Sequence, residues 1–158
     1  MDTVDRQTRA KIMASVGQKN TGAELLLRRA LHKIGLRYRL HDRALPGSPD
    51  LVFRRFGAVA FIHGCYWHSH DCYRATVPKE RHEFWVDKFQ TNRARDQRNV
   101  DLLLGKSWRV LTVWECALLG KHAKGGEAVA LEVRNWLNGG AREGLIEGEK
   151  AREMLPPK

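Results

Sequence analysis

The stretch Ile62-His63-Gly64-Cys65-Tyr66-Trp67-His68-Ser69-His70-Asp71-Cys72 limits what this chain can fold into more than any other. It holds three of the seven histidines and two of the three cysteines, with two aromatic rings between them. Zinc binds four soft or borderline donors in a tetrahedron, and sites closed by four protein ligands are structural. Cys65, His70 and Cys72 offer three donors from one loop, and Cys116, just behind a later apolar run, offers the fourth. His63 and His68 compete with His70 for the nitrogen position. The other reading is two or three buried thiols beside an exposed histidine, since a free cysteine behaves as a small hydrophobe. If the four residues do share a metal, the loop must be pinned to the end of the strand that precedes Cys116.

The rest of the chain supplies elements that such a pin can join. Thr21-Gly22-Ala23-Glu24 has the form of a capping box, with Thr21 as N-cap and Glu24 three residues on. Ala23, Leu26, Leu27, Ala30, Leu31 and Ile34 follow at helical spacing and predict an amphipathic helix over 22–34, ended by Gly35. Leu36–His41, Asp50–Arg54 and Ala58–His63 read as short strands separated by Pro46-Gly47-Ser48-Pro49 and Arg55-Phe56-Gly57. Residues 92–104 predict a charged helix capped by Gly105, and Arg109–Trp114 a central strand buried on both faces. A last helix is expected over 126–137, closed by Gly139-Gly140, and a charged, loose tail over 141–158. A short basic helix or arm is expected within 1–20. The order predicts a single α/β domain over 21–140, a mixed sheet flanked by helices.

The chain has 158 residues, enough for one core, and carries a net charge of +10 with a pI near 10.0. A field of that sign favours polyanions, nucleic acid first among them, although a merely soluble basic protein has the same charge. There is no run of about 18 apolar residues and no signal-peptide pattern, which predicts a soluble intracellular protein with no membrane partner. In a reducing cytosol none of the three cysteines needs a disulfide partner.

A carboxylate at the head of a buried strand is costly unless it binds a cation or caps something. Asp50 stands there, and Mg2+ is its natural partner, although a turn-forming Asp after Pro49 is the plainer reading. Glu24 on a helix, Asp50 opening a strand and a spaced pair on the next strand resemble a nuclease arrangement. The usual acid-x-Lys pair is replaced here by Phe61-Ile62-His63, so a histidine must stand in for the lysine. His68 is a candidate general base because an imidazole titrates near neutrality. For Glu24 the capping-box glutamate is a strong competing explanation to a catalytic role. Tyr66, Trp67 and Trp85 are either core plugs or stacking surfaces for bases.

In order along the chain come Pro46-Gly47-x-Pro49-Asp50, His63-Gly64-Cys65-Tyr66-Trp67-His68-x-His70-x-Cys72 and Glu83-Phe84-Trp85. Asn92-x-x-Arg95-Asp96 and Trp108-Arg109-Val110-Leu111-x-Val113-Trp114-Glu115-Cys116 follow. From about Arg6 to about Leu119 the chain closely resembles the very-short-patch-repair (Vsr-type) DNA mismatch endonucleases. The resemblance implies a monomer with a restriction-endonuclease-like fold of the PD-(D/E)xK type and a structural Zn2+ on Cys65, His70, Cys72 and Cys116. It implies nicking of double-stranded DNA 5′ to the thymine of a T·G mismatch, the product of 5-methylcytosine deamination. Asp50 would hold Mg2+ with the backbone carbonyl of Ile62, His68 would activate water, and His63 would assist at the phosphate. Tyr66, Trp67 and Trp85 would intercalate from the major groove while the N-terminal helix crosses the minor groove. A MutL-type repair factor and a cytoplasmic, nucleoid-associated setting of bacterial type are implied as well. Ile62 stands where Thr is familiar, Tyr66 where Phe is, and Ser69 and Asp71 interrupt a longer histidine run. Two other functions fit the residues: a restriction-type nuclease for matched DNA, and a zinc-containing DNA-binding domain without catalysis.

Overall fold

The computed structural model describes residues 21–66, 70, 72 and 77–149. The expected basic arm at 1–20, the end of the tail at 150–158, and Trp67 and His68 lie outside those residues. The elements are α1 (Gly22–Lys33), β1 (Arg39–Leu40), β2 (Leu51–Phe53), a 3-10 turn (Arg54–Phe56), β3 (Ala58–His63), α2 (His82–Gly105), β4 (Arg109–Trp114), α3 (Glu115–Leu118), α4 (Gly126–Asn138) and β5 (Glu143–Ile146). The strands make one five-stranded sheet in chain order. β1, β2 and β3 pair antiparallel; β4 joins β3 in parallel and β5 joins β4 in parallel. Each parallel step is made through a helix, α2 and then α4, because a tight turn cannot return a chain to run the same way.

Helices cover both faces. On one, Leu27 and Leu31 of α1 and Val129 and Val133 of α4 pack with Leu51, Phe53, Leu111 and Val113. On the other, Leu103 of α2 packs with Val52, Val59, Phe61 and Val110. Strands buried on both sides have no reason to alternate, and this is why β2, β3 and β4 read as near-continuous apolar runs. Thr21 caps α1 as expected, its Oγ1 accepting the Glu24 N–H at 3.2 Å.

Two expectations need correction. The charged helix starts at His82, not at residue 92, so Trp85 lies on it. Trp85 and Phe89, four apart, share one helical face, and Phe89 and Asn92 are buried there. The tail is not loose through its described part, because Glu143–Ile146 pairs along β4 from Val110 to Val113. Arg109 holds the approach to this strand. Its guanidinium donates to the carbonyls of Trp136, Leu137, Gly139 and Ala141 at 2.7–3.0 Å and lies 4.4 Å from the Trp136 ring centroid. A cation there satisfies the open carbonyls at the end of α4.

Candidate active site and metal centre

β2 runs against β3, and β3 runs with β4, so the start of β2 and the ends of β3 and β4 share one edge of the sheet. Asp50 precedes β2, His63 ends β3, and Cys116 follows β4. The fold thus gathers chemistry-bearing residues from distant parts of the chain at the carboxyl ends of the parallel strands, the usual place for a site in such sheets.

Asp50 is reached through a tight turn. Gly47 has φ +76° and sits so close to Asn99 that an added Cβ would meet its amide at 2.9 Å, which fixes the turn against α2. Asp50 Oδ2 then accepts the Ile62 N–H at 2.7 Å. Behind it, the Glu24 side chain is 2% exposed, and its Oε1 is 2.6 Å from His41 Nε2. The same imidazole nitrogen is 3.9 Å from Asp50 Oδ1. Burial pushes the Asp50 carboxyl up to about 7; the Ile62 N–H opposes this, and the Glu24 charge adds to it. Glu24 and Asp50, separate candidates in the sequence, therefore share one site. His41 was legible only as part of a strand. Its place follows from the hairpin register: Arg39 faces Val52 and Leu40 faces Leu51, so the next residue faces Asp50.

The raised carboxyl has a measurable sign. The unfolded chain titrates Asp50 near 3.8 and the folded chain near 7, so the native state binds the extra proton between those values. Stability conferred by that proton is fully present below about pH 4 and is lost as pH rises through 7. Without divalent cations, Asp50→Asn is expected to melt several degrees above the parent at pH 8 and level with it at pH 4. The gain is bounded at about 4 kcal/mol. Equal melting temperatures at both pH values would show that water solvates Asp50.

On the β4 side, Cys65, His70, Cys72 and Cys116 bring four ligand atoms within 4.8 Å of one another. The His70 N–H donates to the Cys65 carbonyl at 2.9 Å and the Cys72 N–H to the His70 carbonyl at 2.8 Å, folding the loop around the cluster. Hydrogen bonding from the Cys65 thiol lowers the Cys116 thiol, against the effect of burial and with help from His70 and the Gly148 N–H. Cys65 is raised correspondingly and keeps its proton. The surroundings thus favour the thiolate at Cys116, the form that binds metal. His70 Nδ1 lies 3.6 Å from Cys116 Sγ while Nε2 lies 2.8 Å from Glu147 Oε2. With Nε2–H donating to that carboxylate, the Nδ1 lone pair is left for a metal.

Of the rival nitrogens, His63 lies elsewhere, its ring 5.5 Å from Phe61 and 5.4 Å from Trp114; His68 is outside the described residues. Glu147 and Gly148 were missed because the tail carried no signal beyond charge. Gly148 is required sterically, since a Cβ there would lie 2.3 Å from the Cys116 carbonyl oxygen. Its N–H reaches Cys116 Sγ at 3.4 Å.

Among the described residues, the aromatic candidates Tyr66 and Trp85 pack on Phe89. Tyr66 meets Phe89 edge-on at 5.3 Å and Trp85 at 6.5 Å, and Phe89 is buried. Phe84, given no site role in the sequence, is 46% exposed beside Trp85 and carries the Arg81 guanidinium 4.3 Å from its ring centroid. Rings anchored at one side and open at the other can plug and stack at once.

A family model described as "DNA mismatch endonuclease Vsr" matches residues 1–74. The chain is 40% identical over 146 residues to the DNA mismatch endonuclease Vsr of Escherichia coli (strain K12), covering 92% of this chain and 94% of that one. It is 45% identical over 117 residues to the type II nicking enzyme V.XorIIP of Xanthomonas oryzae pv. oryzae, covering 74% and 86%. It is 37% identical over 136 residues to the type II nicking enzyme V.HpaIIP of Haemophilus parainfluenzae, covering 85% and 94%.

Proposed function

The chain belongs to the Vsr family of DNA mismatch endonucleases, and from that premise we propose that it nicks duplex DNA 5′ to the thymine of a T·G mismatch, using Mg2+. The observation that carries the reading is the buried Glu24–Asp50 pair at the carboxyl edge of the sheet, with the Ile62 N–H on Asp50. Two carboxylates converging in so little space need a cation, and oxygen donors of this kind suit Mg2+. In a strand the C=O and N–H of one residue leave the same edge, so the Ile62 carbonyl is available on the Asp50 side. Bound there, Mg2+ supplies charge stabilisation at the scissile phosphate and a more acidic water.

The protein residues perform the rest. Asp50 and Glu24 hold the cation, and His63, kept in place by Phe61 and Trp114, faces the phosphate. His68 takes a proton from the attacking water. The water oxygen bonds to phosphorus as the bond to O3′ breaks, a solvent water protonates the departing O3′, and the products are a 3′-hydroxyl and a 5′-phosphate. Cys65, His70, Cys72 and Cys116 hold Zn2+, whose tetrahedral S and N preference they match. Tyr66, Trp67 and Trp85 open the base step, at a cost lowest where the pair is already mismatched. The +10 charge, together with the segment 1–20, supplies phosphate contacts. A MutL-type factor as partner and a cytoplasmic site of action belong to the same reading.

Cleavage of end-labelled duplexes, resolved by strand, tests it. The panel contains matched, T·G and other mismatched pairs, with and without Mg2+. The expected result is one Mg2+-dependent nick beside the mismatched thymine. Equal cutting of matched duplexes would replace the reading with a restriction-type activity, and binding without cutting with a recognition module.

A further inference from the structure

We propose that His41 is a third side-chain ligand of the metal centre formed by Glu24 and Asp50, and that its nitrogen tilts this centre towards Mn2+ relative to Mg2+. The inference rests on the reading of Asp50 as a metal-holding residue and deepens it. His41 Nε2 is 2.6 Å from Glu24 Oε1 and 3.9 Å from Asp50 Oδ1, and the three residues present ligand atoms within 4.8 Å of one another. Donors on one octahedral cation with ~2.1 Å bonds stand about 3 Å apart when adjacent and about 4 Å apart when opposite. The cluster is already near those separations, so small side-chain adjustments admit a cation.

The backbone supports a fixed role. His41 has φ +46°, in the left-handed region that non-glycine residues seldom occupy and that collects at functional positions. Its N–H donates to the Asp50 carbonyl at 3.1 Å, prolonging the β1–β2 pairing, so the imidazole and the Asp50 carboxylate are carried on directly paired backbones. The ring is only 13% exposed and is enclosed with both carboxylates. An imidazole that merely neutralised surface charge would need neither the strained backbone nor the enclosure. As a ligand, Nε2 offers its lone pair and the ring proton resides on Nδ1. Strongly hydrated Mg2+ keeps oxygen donors, whereas Mn2+ accepts a nitrogen more readily.

The test uses the full chain loaded with Zn2+, so that the cysteine cluster is filled, and titrated with MnCl2 alone or MgCl2 alone. Pulsed EPR of Mn2+ on protein labelled with 15N-histidine is expected to show a directly bound histidine nitrogen that is absent in His41→Gln. Gln keeps a hydrogen-bonding group towards Glu24, so a purely structural role would survive the change. The Mn2+ Kd is expected to weaken about tenfold in this variant and the Mg2+ Kd by less than about threefold. His41→Asn serves as the second variant, and the parent spectrum requires none. No bound nitrogen in the parent, a nitrogen that persists in His41→Gln, or equal weakening for both ions overturns the proposal. Asp50→Asn separates the two readings: if it leaves Mn2+ binding unchanged, the metal sits elsewhere and the nuclease-centre reading falls too. If it weakens binding while His41→Gln does not, only the His41 inference falls.

Discussion

Asp50→Ala is expected to abolish nicking of a T·G duplex while leaving binding to that duplex intact. The carboxylate lies at the strand edge against the Ile62 N–H and beside Glu24, whereas the proposed base contacts are the rings of Tyr66 and Trp85 packed on Phe89. On the proposed reading, removing it takes away a cation ligand and leaves the Glu24 carboxylate without its companion. Charge stabilisation by a metal is worth several kcal/mol in the transition state, so single-turnover nicking should fall by roughly a thousandfold or more. Binding follows a different logic. Deleting a negative charge near the phosphates removes repulsion, so affinity measured without divalent cations should stay level or rise. Gel shift and single-turnover cleavage on the same duplex give the two values. Nicking within a few-fold of the parent would remove Asp50 from the centre; equal loss of binding and nicking would make it a structural residue.

The part of this site that the sequence revealed is the part carried by local chemistry. Cys65, His70 and Cys72 sit within eight residues, and Cys116 ends an apolar run, so their meeting required only that β3 and β4 be neighbours. β3 and β4 were legible because strands covered on both faces are apolar throughout. The helix at 22–33 was announced by its cap and its period. What stayed hidden depends on distant partners. β5 is four residues with a glycine and one buried side chain, Ile146, and its position follows from Arg109 holding the carbonyls before it. The first turns of α2 looked like loop because Phe84, Trp85 and Phe89 are interspersed with charges, and their common face exists only once the helix is drawn. His41 needed the register of a hairpin whose turn contains residues with positive φ, among them Gly47 and Ser48.

If Cys65, His70, Cys72 and Cys116 hold zinc as proposed, Cys116→Ser is expected to cost the protein that zinc and a large share of its stability. A serine hydroxyl is a poor zinc ligand, and three remaining donors do not close a four-ligand structural site. Binding energy of a structural zinc is folding energy, so losing even about 3 kcal/mol of it should lower the melting temperature by roughly 10 °C. Metal analysis should fall from one zinc per chain towards none. Glu147→Gln grades the same effect. It keeps all four ligands but weakens the hydrogen bond that orients His70, so stoichiometry should hold while affinity against a competing chelator drops ~10–100-fold. The loss also reaches catalysis through Trp114. Its ring stacks on His70 with centroids 4.1 Å apart and lies 5.4 Å from His63, so a loop released from Cys116 frees the ring that supports His63. Nicking by Cys116→Ser should therefore fall even at temperatures where circular dichroism shows it folded. Unchanged zinc content would break the four-ligand assignment, and unchanged nicking in a zinc-free folded variant would separate the pin from the active site.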